Sequence, residues 1–361
     1  MRRLLLSTTA LALLSVPHAA CAADKISLTL GGYFRFFGVA GTMDDDTGDA
    51  AAGFRGHGVA RESEVYFFGS TALDNGMKVG VTIQLEGETS GDQIDESYVW
   101  FEGSFGRLEL GAQDPPGEQR LVGAPGAIDG HGVNSPTFFH VPGGANAVGT
   151  TSTYVTLTFD RDKVIYFTPR FAGFQFGVSY TPDRTEELGF ALRPDTTPAQ
   201  QSEAVEVAAH WQGSVGEADL EAFGAYSEAD VEAPPPGFKD QVMWGVGAEA
   251  AWAGFTVGAS YRFTNRGLNG PNADRRDWNV GIAYAWSVWR IAAAWGHGEV
   301  EAGLAGGEDE LDQIEVGLRY QAGPGVHLFV GGQHVDYDDN LSAPGAENEA
   351  FIAIAGTRLS F

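Results

Sequence analysis

Apolar residues alternate with polar or small ones along most of the chain. Between residues 242 and 252, Val, Trp, Val, Ala, Ala and Trp occupy every second position, and 174–180 and 313–320 repeat the pattern. A period of two indicates β-strands with one apolar face, whereas an amphipathic helix repeats every 3.6 residues. The pattern predicts an all-β protein without a helical stretch.

Short and long connections between these strands follow one another in strict order. The short ones have tight-turn compositions and lie at 74–76, 103–106, 171–173, 213–216, 253–254, 287–288 and 323–325. The long ones lie near 41–58, 87–93, 114–161, 181–203, 228–239, 264–276, 298–311 and 338–348. Seven short and eight long connections join sixteen strands. This order places all turns at one end and all loops at the other, as in an up-and-down antiparallel barrel.

The second face of most strands is small or charged, and aromatic residues mark the ends of the apolar faces. In 79–86, Val, Val, Ile and Leu alternate with Gly, Thr, Gln and Glu. Trp244 and Trp252 border one apolar run, and Trp278 and Trp286 border another. An aromatic girdle of this kind is typical of transmembrane barrels. Because hydrocarbon cannot satisfy open sheet edges, the sheet must close, and sixteen strands enclose a water-filled lumen.

The N-terminus and the composition narrow the class of protein further. Arg2 and Arg3, an apolar run over 4–16 and an A-x-A site at 20–22 predict a cleaved signal peptide, 1–22, before a barrel spanning 23–361. Elsewhere no apolar run approaches the ~18 residues of a membrane helix. Cys21 is the sole cysteine, which excludes a disulfide framework. The net charge of −26 argues against nucleic-acid binding and suits a surface that attracts cations.

Two segments resemble the general porins of Gram-negative bacteria, specifically the alphaproteobacterial kind. Residues 164–180, VIYFTPRFAGFQFGVSY, are similar to the Y-x-T/S-P-x-x-x-G hairpin that follows the constriction loop in that family. Residues 94–106, IDESYVWFEGSFG, resemble its fourth strand and the turn into the fifth. The resemblance implies a homotrimer in the outer membrane that passes small hydrophilic solutes and ions by diffusion. It also implies a third loop folded into the lumen.

The candidate site residues follow from the third loop and from strand parity. The loop, about 114–161, carries the acids Asp114, Glu118 and Asp129. Parity directs inward the basic residues Arg35, Lys78, Arg107, Arg319 and Arg358, and the acids Glu64, Glu86, Glu96, Glu102 and Glu109. It also directs inward Arg262, Arg290, Glu206, Glu221, Glu249 and Glu315. Charged rings govern selectivity by sign, so the acid excess predicts cation selectivity.

Cofactors and catalysis have weaker signals. Asp44, Asp46 and Asp49 lie in an acidic loop that could bind calcium or contact lipopolysaccharide through divalent ions. Their spacing is not that of an EF-hand, and a simply solvated loop is the favoured interpretation. We expect no other cofactor. The sequence lacks G-x-S-x-G, H-E-x-x-H and P-loop motifs, which predicts a protein without enzymatic activity.

Two alternatives remain open at this point. One is a substrate-specific channel on the same barrel, with Tyr33, Tyr66, Tyr98 and Trp100 as an aromatic track for the solute, unless these rings pack against the third loop. The other is a secreted β-rich binding protein without a pore.

Overall fold

The computed structural model describes residues 25–43, 55–88, 93–134, 141, 146–184, 196–268, 274–301, 307–339 and 347–361. The acidic residues Asp44, Asp46 and Asp49, and the expected signal peptide, lie outside this range. Within it, no helix combines the length and apolarity needed to cross a membrane.

Sixteen strands account for most of the described residues. They are β1 (Ser27–Met43), β2 (His57–Ala72), β3 (Lys78–Glu86), β4 (Ile94–Gly103), β5 (Gly106–Ala112), β6 (Asp162–Phe167), β7 (Phe174–Asp183), β8 (Gln201–Val215), β9 (Ala218–Val231), β10 (Gln241–Trp252), β11 (Phe255–Thr264), β12 (Arg275–Trp286), β13 (Trp289–Glu301), β14 (Glu308–Gly323), β15 (Val326–Asp339) and β16 (Asn348–Ser360). One short helix, α1 (Pro116–Gln119), follows β5.

The strands form one closed antiparallel barrel in sequence order, which confirms the predicted fold. Closure comes from β1 and β16, whose register runs from Tyr33 opposite Ser360 to Met43 opposite Ala350. The pairing extends one residue further, because Gly32 N donates to Phe361 O at 3.0 Å and Phe361 N donates to Gly32 O at 3.1 Å. A closed barrel has no open edge, so its backbone groups are satisfied without water.

The outer surface is an apolar belt. Val246, Val257, Ile282, Val316 and Val330, on five different strands, each leave 47–53 % of their surface uncovered. A continuous apolar surface of this extent is not tolerated in water but is what hydrocarbon requires. The alternation in the sequence therefore places apolar side chains outside the barrel.

Aromatic rings border this belt at both ends. Near the loops, the Trp244 and Tyr261 rings lie 5.4 Å apart. Near the turns, the Phe255 and Tyr284 rings lie 4.5 Å apart, and Trp289 lies 4.7 Å from Tyr320. Such rings occupy the headgroup level on each side of a membrane.

The core of the protein lies inside the barrel, between its wall and the third loop. One apolar cluster joins Ile128 and Val148 of the loop to Phe37 and Tyr337 of the wall. A second joins Val122 and Val155 to strands on the other side. The described part of the loop thus lies inside the barrel, as the resemblance implied.

Candidate functional site

The described residues of loop 3 (113–134, 141 and 146–161) lie against the inner wall as a hairpin. Its first arm (113–128) passes Gly177 on β7 with Pro116 and reaches Gly331 on β15 with Ile128. Its tip (129–131) meets Arg35 on β1. The return arm, whose described residues are 132–134, 141 and 146–161, leads back to β6. We call β6–β15 the covered wall.

Glycines on the covered wall allow the first arm to pack closely against the sheet. A Cβ on Gly247 would collide with the Val122 carbonyl oxygen, and one on Gly258 with that of Gly123. A Cβ on Gly281 would lie 3.1 Å from Ala124 Cβ. The missing side chains let the loop backbone approach the sheet closely, which keeps the loop out of the rest of the lumen.

The tip is held by charged groups of β14 and β15. Asp129 accepts a hydrogen bond from Arg319 Nη1 at 2.6 Å and also contacts His327 Nδ1. His131 Nδ1 lies 2.5 Å from Glu315 Oε2, and both side chains are buried. The predicted loop acid Asp129 and the predicted wall base Arg319 therefore come together as one ion pair.

The return arm is organised by one buried carboxylate, Asp277 on β12. Its oxygens lie 2.5 Å from Arg262 Nη2 and 2.8 Å from Arg275 Nη2. Ser152 N donates to Asp277 Oδ1 at 3.2 Å, and Arg275 Nη1 donates to the Val148 carbonyl oxygen at 3.0 Å. A buried charge is tolerated when it is paired and fully hydrogen-bonded.

Two further polar residues attach the loop along its length. Asn279 contacts both arms: its Oδ1 accepts from Ala124 N at 2.8 Å, and its Nδ2 donates to Thr153 Oγ1 at 3.0 Å. Glu206 on β8 accepts from Leu157 N at 2.8 Å and from the Thr158 hydroxyl.

The root of the loop contains the helix α1, which the sequence pattern did not predict. Four residues are too few to show a helical period, and Pro116 at the first turn suits a helix start. Asp114 and Glu118 lie close together at this root, and each affects the pKa of the other. Burial raises the pKa of Asp114, and burial together with the Asp114 charge raises the pKa of Glu118 well above its usual range. Glu118 therefore keeps its proton to a higher pH than an exposed carboxyl would.

The sign of the resulting pH effect follows from linkage. A carboxyl whose folded pKa is raised stabilises the docked loop fully below its unfolded pKa, near 4.5 for Glu118, and this stabilisation is lost as the pH rises through the folded pKa. Between these two pKa values, the free energy of unfolding falls with pH by up to about 1.4 kcal/mol per pH unit for one group. We expect Glu118→Gln to reduce this slope in thermal denaturation from about pH 4 to about pH 8. Glu228→Gln, on the outer face, serves as the control; parallel wild-type and Glu118→Gln curves would contradict the assignment.

The remaining inner wall, β16 and β1–β5, which we call the open wall, carries most of the predicted pore residues. The described part of loop 3 touches it at the root, at the tip and where Ile128 and Val148 pack against Phe37 on β1. Arg35 pairs with Glu62 at 2.5 Å, Lys78 with Glu102 at 3.9 Å, and Arg107 with Glu109 at 2.5 Å. Arg358 lies over the Tyr33 ring, 4.9 Å from its centre.

The predicted acids Glu64, Glu86 and Glu96 lie on the same wall. Carboxylate oxygens of Glu64, Glu86 and Asp95 lie within 4.8 Å of one another. Gln84 Nε2 donates a hydrogen bond to Glu96. Their role in lining the pore stays a prediction.

The aromatic residues proposed as a solute track are engaged by charged groups of the wall. Tyr33 and Tyr66 both donate their hydroxyls to Glu64. The Arg107 guanidinium lies 4.5 Å from the Trp100 ring centre. Among their described contacts, these rings pack on the wall and its charges.

Three residues that parity directed inward do point inward, but they lie under loop 3 and not in open water. Arg262, Glu206 and Glu315 point inward, but loop 3 covers them and each is buried. The reason is that parity gives the face of the sheet and says nothing of what lies against it. The sequence reading also missed Glu62, Asp277 and Asn279; the parity that selected Arg262 would have selected its partner Asp277 as well.

Comparisons with known proteins agree with this architecture. A family model described as Gram-negative porin matches residues 7–340. The fold is similar to that of an anion-selective porin from Comamonas acidovorans, with 17% identity, a TM-score of 0.63, and coverage of 93% of this chain and 100% of that one. It is also similar to the trimer form of OmpT from Vibrio cholerae, with 13% identity, a TM-score of 0.61, and coverage of 94% and 100%.

A mutant of the Rh. blastica porin is a third similar structure, with 16% identity, a TM-score of 0.55, and coverage of 93% and 100%. At these identities the likeness shows the fold. A comparison with curated proteins finds no match. Because the family model spans nearly the whole barrel, the chain belongs to the Gram-negative porin family, whose members are outer-membrane channels.

Proposed function

We propose that this channel passes small hydrophilic solutes and ions by diffusion, with a preference for cations. The observation that carries the proposal is the charge on the open wall, where carboxylates outnumber basic side chains. Arg35, Lys78 and Arg107 each have a carboxylate partner within the wall. Their charges are thus compensated, and the further acids Glu64, Glu86 and Glu96 outnumber the remaining base, Arg358, so the wall is negative. Fixed charges of one sign concentrate counterions in a narrow pore.

The comparisons leave selectivity open. The Comamonas acidovorans porin is named as anion-selective, but at 17% identity wall charges do not transfer from one chain to another. The overall charge of −26 supports cation preference, since it also falls on the loops at the entrance.

The assembly and the route to the membrane belong to the same proposal. We infer export by a signal peptide over residues 1–22 and a homotrimer, for which the trimer form of the OmpT neighbour is the support. The outer face of this barrel would contact membrane lipids and lipopolysaccharide. The loop acids Asp44, Asp46 and Asp49 could hold calcium.

Recording from the purified protein in planar bilayers under a salt gradient tests the function and its sign. We expect open channels with a reversal potential on the cation side. Replacing Glu64 and Glu86 by Gln should lower the cation-to-anion permeability ratio roughly twofold, whereas Glu228→Gln on the outer face should leave it unchanged. Anion preference in the wild type would overturn the selectivity, and the absence of conductance from folded protein would overturn the channel itself.

A further inference from the structure

Two arginines that the sequence reading did not select share one acceptor inside the turn end of the barrel. Arg120 Nε, from loop 3, donates to Gln175 Oε1 at 3.1 Å, and Arg170 Nη2, from the β6–β7 turn, donates to the same oxygen at 3.4 Å. Arg170 also lies 3.3 and 3.2 Å from His210 Nδ1 through its two terminal nitrogens. Gln175 and His210 are inward residues of β7 and β8. A neutral amide and an imidazole thus hold two guanidinium groups close together.

His210 can accept hydrogen bonds from Arg170 because its other ring nitrogen contacts a carboxylate. His210 Nε2 lies 2.6 Å from Glu221 Oε1. The Nε2–H donates to the carboxylate, so Nδ1 remains an acceptor for Arg170. The histidine thereby orients Arg170 without neutralising it.

The nearby carboxylates are committed to other partners. Glu109 Oε1 accepts from Arg107 Nε at 2.5 Å, and its Oε2 accepts from Gln119 Nε2 at 3.2 Å. Within the described parts of the chain, neither Arg120 nor Arg170 has a carboxylate in salt-bridge contact. By contrast, Arg35 on β1 and Arg107 on β5 each have a carboxylate partner.

The surroundings of Arg120 disfavour the charge on its guanidinium. Its guanidinium lies 4.3 Å from the Phe167 ring centre. Burial lowers the pKa of Arg120, the nearby Glu109 carboxylate opposes this shift, and Arg170 and Arg107 add to it. A guanidinium nevertheless stays protonated in proteins. Two adjacent guanidinium groups without a directly bonded carboxylate form an arrangement that an anion would stabilise.

The position suits a solute that enters from the turn end. Arg170 lies in a turn and is exposed, while Arg120 reaches the same point from the loop above. Lys78 and Arg107 lie near the starts of their strands at the same end, and each is paired with a wall carboxylate. Of these four basic residues at the turn-end mouth, Arg120 and Arg170 are therefore the two without a carboxylate in salt-bridge contact among the described residues.

We propose that Arg120 and Arg170, oriented by Gln175 and His210, form a weak binding subsite for the carboxylate or phosphate group of a permeating solute. Guanidinium groups bind planar oxyanions through paired N–H donors. The described contacts use Nε and Nη1 of Arg120, which leaves its Nη2 group for the ligand. Binding must be weak for the solute to leave again, and we expect a half-saturation concentration on the order of millimolar. The inference rests on the proposed channel function.

Inorganic phosphate is the probe for this subsite. Single-channel conductance of the full-length protein is measured while phosphate replaces chloride at constant ionic strength, from each side of the bilayer in turn. We expect a saturable block that is stronger from one side. Arg120→Gln with Arg170→Gln should raise the half-block concentration at least roughly tenfold, in line with the loss of charge-assisted hydrogen bonds. Arg170→Lys, which keeps the charge but loses the fork, should give an intermediate value.

Lys78→Gln is the matched control, because it removes one positive charge from the same mouth and leaves the cluster intact. Its phosphate block should stay close to that of the wild type. A conductance that follows phosphate without saturation, or a block that persists in the double variant, would overturn the subsite. Heat-resistant migration in gels verifies that each variant is folded. Failure of all channels to open in chloride would instead reject the proposed function, so the two results are distinguishable.

Discussion

Gly258→Ala is expected to lift the first arm of loop 3 from the barrel wall and to lower the single-channel conductance. A Cβ at this position would collide with the carbonyl oxygen and carbonyl carbon of Gly123 on the loop. Both partners are backbone atoms, so no side-chain rotation relieves the clash. The loop must move toward the open wall, and overpacking of this kind costs about 1–3 kcal/mol. The measurement is conductance and open-channel noise in planar bilayers, with Gly247→Ala expected to act in the same way through Val122.

Gly224→Ala is the matched control for this prediction. Gly224 is also a strand glycine, but a Cβ there would face outward with its nearest atom, Val246 Cγ1, at 3.8 Å. Its variant should therefore conduct like the wild type, and alanine should strengthen the strand slightly. A Gly258→Ala channel with wild-type conductance and noise would show that the loop is not seated on this wall.

The barrel could be predicted from sequence because its governing rules are local. A two-residue period sets the face of each side chain, and the order of short and long connections sets the strand number. Trp244 and Tyr261 illustrate this, since alternation and aromatic character alone place them at the border of the outer belt.

The path of loop 3 could not be predicted, because its contacts join residues far apart in sequence. Ala124 binds Asn279 across 155 positions, and Arg319 binds Asp129 across 190. One signal was present: Gly247, Gly258 and Gly281 occupy inward positions, where a water-lined strand has no need of glycine. Such glycines on consecutive strands indicate a close backbone approach from inside.

The pair formed by Arg120 and Arg170 could not be predicted from the sequence for a different reason. Arg120 and Arg170 both lie in connections, outside β6 and β7, and parity assigns a face only within strands. Their meeting depends on the loop entering the barrel and on Gln175 pointing inward. Candidate pore residues chosen from strands alone therefore omit every charge that a connection brings into the lumen.

Asp277→Ala is expected to release the return arm of loop 3 and to destabilise the protein more than any surface change. Its carboxylate is fully buried and pairs with Arg262 and Arg275 at 2.5 and 2.8 Å. Removing it leaves two guanidinium groups inside the protein without their counter-charge, which costs about 3–5 kcal/mol. The same groups donate to loop carbonyls, among them Val148 and Tyr154. Limited proteolysis of the detergent-solubilised protein and thermal denaturation measure the two effects.

Glu299→Ala provides the comparison, because it removes an acid from the neighbouring strand on the opposite face. Glu299 pairs with Arg276 at 2.8 Å, with 26% of its side chain exposed, and a pair of this kind contributes about 0–1 kcal/mol. We expect Glu299→Ala to melt within a few degrees of the wild type and to resist protease. Asp277→Ala should melt earlier and be cut within 146–161. The two ion pairs differ in burial. Equal melting and equal protease resistance of the two variants would therefore mean that the buried Asp277 network neither anchors the loop nor stabilises the protein.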